Sequence, residues 1–454
     1  LNVLLGSVSS AAPEVSIDVL LRIADSGLIR EKQKRIELLE SVFSRSSEVQ
    51  KKQRLRLREG MSDTPNGYLS AAYDLKLDAL SLKSRAVQAM LVLDPQRGRV
   101  LFDDIPKVKL PILTCNENLG YDVSDFYETV NQVRRKSFSN EEKLHKDDLR
   151  FVQSHVAELV SPAQVSPVIR LISDSSDLSA GDLEVLTLSL SSALKKINAD
   201  PRSFSVSMRN DGVANTFVNL MKTLNEKNVP TQELGKSFRS YVVRQFSSVQ
   251  CADVATNLAR RGSVKNYVDD LNKWFITPIG DEELQPDKVD GAPRSLQFWN
   301  STDSQKLLMR AKSLRFGGQQ VPLPMSERAS PEWQQGFVQL LADLENWEGA
   351  TERSQSEFFH EKCNLYDSLF DLAPNRHLRT TVLLSFANYL KNASIQQESR
   401  IEWLLHANDV RNKIRTLGGS ERDSVLSVLR NSGNQALQLY AELDDLLFAG
   451  NTIR

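Results

Sequence analysis

His360 and Cys363, one helical turn apart, with His377 across a proposed hairpin, form the group best suited to chemistry. Imidazole and thiolate are ligands that zinc prefers, but a structural zinc site closes with about four of them and a supporting outer shell. No fourth ligand is evident, and Phe358, Phe359 and Leu365 around the pair favour a half-buried histidine beside a core cysteine. His145, His155 and His406 stand isolated and read as packing or surface residues. Acidic neighbours occur at Asp103-Asp104, Asp269-Asp270, Glu282-Glu283 and Asp444-Asp445. Adjacent helical residues point about 100° apart and do not converge on one substrate, so solvated faces account for these pairs. No residue is assigned a catalytic role, and no cofactor is expected.

The basic run Lys51, Lys52, Arg54, Arg56 and Arg58, interleaved with Leu55 and Leu57, reads as a continuation of the helix begun at Glu31. Lys51, Lys52, Arg54 and Arg58 could form an anion or nucleic-acid patch. A solvated face beside Glu40 and Glu48 is the plainer account, because no aromatic stacking residues accompany the run. Lys+Arg 57 against Asp+Glu 58 leaves a formal net charge of -1, which offers no global attraction for nucleic acid or an anionic membrane. Phosphate cradles require glycines ahead of a helix, and neither Gly-x-Gly-x-x-Gly nor Gly-Lys-Ser/Thr occurs. The serine elbow Gly-x-Ser-x-Gly is also missing. Asn300-Ser301-Thr302 and Asn392-Ala393-Ser394 match the glycan-acceptor pattern, which matters only in a eukaryotic secretory route.

At 454 residues the chain calls for two or three domains or one extended helical array. The 20 Gly and 16 Pro are few for this length and β-branched runs are scarce, so the composition predicts helix. Cys115, Cys251 and Cys363 are too widely spaced for a metal knuckle or redox pair and allow at most one disulfide. No apolar run approaches the roughly 20 residues of a membrane helix. Residues 1–12 run from Leu-Asn-Val-Leu-Leu into small residues, reading as the remnant of an export signal or a frayed terminus. A periplasmic or secreted location is thus preferred to a cytoplasmic one.

The helices follow from apolar periodicity and capping residues. Ser16–Leu28 and Glu31–Phe43 form a pair turning at Ser26-Gly27. Leu69, Ala72, Tyr73 and Leu80 share one stripe, and Ala86, Val87, Met90 and Leu91 another. Asp94-Pro95 breaks and restarts the chain into a helix carrying Val100, Leu101 and Ile105, which Pro106 stops. An extended loop runs from there to about Asn118, and Ser124 caps the next helix. Ser161-Pro162-Ala163-Gln164 is a capping-box pattern, and Leu183, Leu186, Leu190, Leu194 and Ile197 hold phase over four turns. Further amphipathic segments occupy Val213–Leu224, Leu234–Phe246 and Val254–Phe275. Short, capped connections imply adjacent antiparallel helices in residues 13–276. Residues 277–329 form a polar linker with one helix, and 330–454 a C-terminal helical domain opened by Ser330-Pro331-Glu332. All five tryptophans lie near or beyond this boundary, from Trp274 on.

Leu69–Pro95 resembles one tetratricopeptide unit: Leu69, Tyr73, Ala86, Ala89 and Pro95 fall where that repeat favours Leu, Tyr, an apolar residue, Ala and Pro. Asn66 and Ser70 stand where it favours Trp and Gly, and the signature does not return at a period of about 34 residues. The resemblance implies a concave superhelix holding peptides or partner proteins. The fold expected is all-α, stacked antiparallel helical hairpins. The function expected is a non-catalytic scaffold binding a protein or peptide; the alternative is an all-α, hydrolase-like enzyme whose site forms only in three dimensions.

Overall fold

The computed structural model describes residues 1–57, 64–115, 119–175, 177–209, 212–251, 288–290, 301–318, 320–328, 330–349, 355–393 and 400–451. Arg58, the helix expected over Val254–Phe275, most of the linker over 277–300, Trp274, Trp299 and two of the acidic pairs lie outside these residues. The fold is all-α, with two short strand pairs among the described residues. It separates into two compact units: Leu1–Leu28, Asp63–Leu75 and Gln297–Arg454 make a terminal unit, and Ile29–Ser62 with Lys76–Leu296 make a central unit.

The division is not the linear one that the punctuation suggests. The helix pair about Ser26-Gly27 is divided after Leu28, and the tetratricopeptide-like stretch after Leu75. Burial gives the reason. The Pro65–Tyr73 helix turns Ala72 and Tyr73 inward and packs on the Arg400–Ile414 helix, whereas Ala79–Leu93 packs on Lys32–Arg45. Leu80 therefore does not continue the stripe of Leu69. Within residues 1–12, Asn2–Val8 is helical and packs on the Gln435–Asn451 helix, with Leu4 and Val8 buried.

The central unit is built of helices in two rows. Ala79–Leu93, Ser124–Ser137, Val165–Ser173 and Val213–Glu226 pack in sequence along one row; Asp147–Ala157, Ala180–Lys196 and Gln232–Ser247 pack along the other. The apolar stripes cause this arrangement. Leu186, Leu190 and Leu194 are fully buried at a spacing of four, and Phe217, Leu220 and Leu224 at spacings of three and four. Phe217 and Phe238 stack with ring centroids 3.8 Å apart, joining the rows at the far end. Caps set the starts: Asp94 Oδ1 accepts from the Arg97 N–H at 3.1 Å, and Ser179 Oγ from the Asp182 N–H at 3.2 Å.

Three local expectations change. Arg54–Leu57 is a β-strand, not helix, paired antiparallel with Leu119–Asp122 in the register Arg54↔Asp122. Ser124 is the first helical residue instead of the cap; Asp122 Oδ1 accepts its N–H at 3.0 Å. Val100 is exposed, because Gly98 and Phe102 supply the buried face of Pro95–Asp103. A second, parallel strand pair joins Val249–Cys251 to Lys288–Asp290.

In the terminal unit, Arg376–Asn392 packs against Gln355–Leu372, Arg400–Ile414 and Gly419–Arg430, with Phe386 and Val382 fully buried. Ser330 caps Pro331–Glu345, accepting from the Trp333 N–H at 3.2 Å.

Candidate binding site

In the central unit three helices and one irregular segment enclose a cavity of about 760 Å³. Phe102 comes from Pro95–Asp103, Phe126 and Tyr127 from Ser124–Ser137, and His155 from Asp147–Ala157. The fourth wall is the Ile105–Pro111 segment. The aromatic rings form one cluster: Phe102 lies 5.4 Å from Phe126, and His155 lies 5.3 Å from Phe102 and 4.7 Å from Phe151.

His155 Nδ1 lies 2.8 Å from the Phe151 carbonyl oxygen, one turn back on its own helix. A carbonyl only accepts, so Nδ1 carries the hydrogen and the neutral ring offers a lone pair at Nε2. Burial holds the imidazole below its ordinary range, against the opposing pull of the Phe151 carbonyl, Glu158 and Asp103. Asp103, also on the wall, is shifted upward by burial, with Arg99 and His155 acting the other way. Tyr127 and Gln164 on the wall are bonded to each other. Gln164 donates through Nε2 to the Tyr127 hydroxyl at 2.9 Å and accepts the Val160 and Ser161 N–H groups through Oε1. An apolar hollow with few convergent polar groups is the usual form of a ligand site.

The segment closing the cavity has an unusual backbone. From Pro106 to Thr114 it contains no helix, strand, turn or bend. Prolines at 106 and 111 fix their own φ and keep the preceding residues out of helical angles. Burial alternates: Lys107, Lys109 and Pro111 are exposed, Val108 and Leu110 half-buried. Its two ends are secured, by the Ile105 N–H bonded to the Phe102 carbonyl and by the disulfide between Cys115 and Cys251. Lys107 forms an ion pair with Glu158 across the cavity mouth.

The candidates read from sequence fall elsewhere. Lys51 and Lys52 are exposed, and Lys52 is spent on the Ser47 and Val49 carbonyls at 3.0 Å. Arg54 is buried and bonds Asp122 at 2.7 Å, so it belongs to the sheet and not to a solvated patch. Arg58 lies outside the described residues. Burial alone would raise the Asp122 carboxyl, but Arg54 and the Ser124 N–H take it below the ordinary range.

His360 and Cys363 are fully buried in the terminal unit and His377 is exposed; among the described residues no three metal-ligating side chains gather. What His360 meets is His406, with Nδ1 2.8 Å from its Nε2, while Tyr68 stacks on the His360 ring at 4.6 Å. Asp444 is likewise no solvated acid: Arg411 grips it through Nε at 2.7 Å and Nη2 at 2.9 Å, with both side chains buried.

Comparison of the chain with family models, curated proteins and solved structures finds no match. Among the described residues no helix is long and apolar enough to cross a membrane.

Proposed function

We propose that the chain is a non-catalytic helical-hairpin scaffold, of the kind that tetratricopeptide arrays exemplify, and that it binds a peptide or protein partner at the His155 cavity. One observation carries the reading: an apolar hollow of about 760 Å³ opens beside a segment whose backbone is not tied into the fold. Aromatic walls supply affinity by burial, and a single lone pair at His155 Nε2 supplies orientation. The Cys115–Cys251 bond supports an oxidising compartment and therefore export. Nucleic acid is disfavoured, because Arg54 is already neutralised.

The test is selection from a displayed library of short linear peptides, on the parent chain and on Val160→Trp. Val160 is 54% exposed at the cavity wall, so the larger ring obstructs the hollow without entering the core. Enrichment on the parent and its loss on Val160→Trp is expected; failure to enrich any peptide overturns the reading.

One observation favours the alternative, a hydrolase-like enzyme. His155 is held neutral beside an acid that burial shifts upward, as a general base and acid would be. On that reading ester or amide hydrolysis by the parent would vanish in His155→Phe.

A further inference from the structure

The Lys107–Thr114 segment leaves its whole backbone unused. None of its N–H or carbonyl groups bonds another residue in the described structure, although unbent chain of this length normally enters a ladder or is coiled into turns. Its half-buried residues Val108 and Leu110 face the protein, and Lys107 and Lys109 face outward. This is the period of a strand. The two edges are unequal. Pro111 removes a donor from the edge that carries the backbone groups of Lys107 and Lys109, whereas Val108 and Leu110 keep their N–H groups on the other; the alternation ends there, Pro111 and Ile112 both being exposed. Ile112 is 65% exposed.

Resting on the binding reading above, we propose that this segment is an acceptor strand: an extended peptide from a partner pairs with the Val108–Leu110 edge and places an aromatic residue bearing a hydrogen-bond donor in the cavity. Strand addition gives affinity through the main chain and specificity through pockets for alternate side chains. Both parts are present here. Residues directly opposite across a strand pair share a face, so the position facing Lys109 takes Asp or Glu, Lys107 being already paired with Glu158. Positions facing Val108 and Leu110 point toward the cavity, where Phe102 and Phe126 receive an aromatic ring. His155 Nε2 accepts, so the ring carries an O–H or N–H, as Tyr and Trp do. The occupant thus reads as aromatic or apolar residues at alternate positions with an acid between them, opposite Lys109.

The experiment uses the full disulfide-bonded chain and synthetic linear peptides with one fixed Tyr or Trp, apolar residues at alternate positions and Glu between them, bound in solution and read by fluorescence anisotropy. The best binder is then N-methylated one residue at a time. Methylation at every second position should weaken binding about tenfold or more, and methylation between them should leave it unchanged. Replacing the Glu residues by Lys should also weaken it. Binding that withstands N-methylation throughout overturns strand addition and leaves the binding reading standing, whereas no binding by any peptide overturns both. Dimerisation of the chain alone that blocks peptide binding would give the edge to a second copy and overturn the proposal.

Discussion

His360 and His406 share a single proton. Their facing nitrogens, Nδ1 and Nε2, lie 2.8 Å apart, so one carries the hydrogen and the other the lone pair; two hydrogens would collide and two lone pairs would repel. Both rings are buried, with Phe359 5.5 Å from His406. Burial and then the neighbouring His360 keep His406 well below its ordinary range, so it stays neutral. Truncating His406 to Ala removes this bond and opens a cavity, and should cost about 2–4 kcal/mol in chemical denaturation. Replacing both rings by Phe substitutes apolar groups of similar shape and should cost less than the two single changes summed. Strict additivity would show that the rings are not coupled.

The same region gives the stability of the chain a pH dependence of mixed sign. Unfolded, His406 takes up a proton below about pH 6.5, whereas folded it does not, so acidification below that point subtracts stability. Asp409 acts oppositely. Burial and the nearby Asp367 push its carboxyl up to about 6, against Lys413, so from about 6 down to its ordinary value of 3.8 the folded chain holds the extra proton and acidification adds stability. Asp409→Asn removes the second effect, and with it the carboxylate 3.7 Å from His406 Nδ1 whose charge would favour protonation of that ring. Its melting temperature should fall more steeply than the parent's below pH 6, and superimposable profiles would refute this role for Asp409.

Arg54 and Asp122 meet within the first strand pair, 7% and 5% exposed at their side chains. Removing one partner of a buried ion pair strands the other charge, at about 3–5 kcal/mol. Arg54→Ala should therefore destabilise the central unit by about that amount, while Lys51→Ala and Lys52→Ala, on the surface, stay within about 0.5 kcal/mol. Retention of the parent on heparin lost in the two lysine variants would restore the anion patch.

Helices are legible in this sequence because their signals are local. Asp94 and Ser330 cap the helices that follow, and Leu186, Leu190 and Leu194 occupy the buried stripe that their spacing predicts. The strand over Arg54–Leu57 is not. Four residues alternating Arg and Leu are too short to outweigh a helical neighbour, and the partner Leu119–Asp122 is distant in sequence. The cavity is hidden for the same reason. His155 sits in an ordinary amphipathic helix, and only packing brings it to Phe102, Phe126 and the proline-bracketed segment. The spacing of His360 and Cys363 does not reveal His406, because the histidine that matters belongs to another helix.

His155→Phe separates orientation from burial at the cavity. The new ring keeps the packing against Phe102 and Phe151 but has no lone pair. Binding of a Tyr- or Trp-bearing peptide should weaken about tenfold, the worth of roughly one hydrogen bond, while the Phe-bearing analogue is unaffected. Equal weakening of both peptides would assign His155 a packing role only.

The far end of the acceptor segment is held by the bond between Cys115 and Cys251, while Cys363 is a buried thiol in the other unit. A chain with 3 cysteines and this pairing releases one titratable thiol on denaturation without reductant and three after reduction. Cross-linking residues that far apart in sequence restricts the unfolded chain, by about 2–4 kcal/mol in typical cases. Cys115→Ser with Cys251→Ser should therefore lower the unfolding midpoint of the central unit. It should also weaken peptide binding, because one anchor of the segment beside the cavity is gone. Three thiols in the unreduced chain would remove the bond, and with it the support for an oxidising compartment.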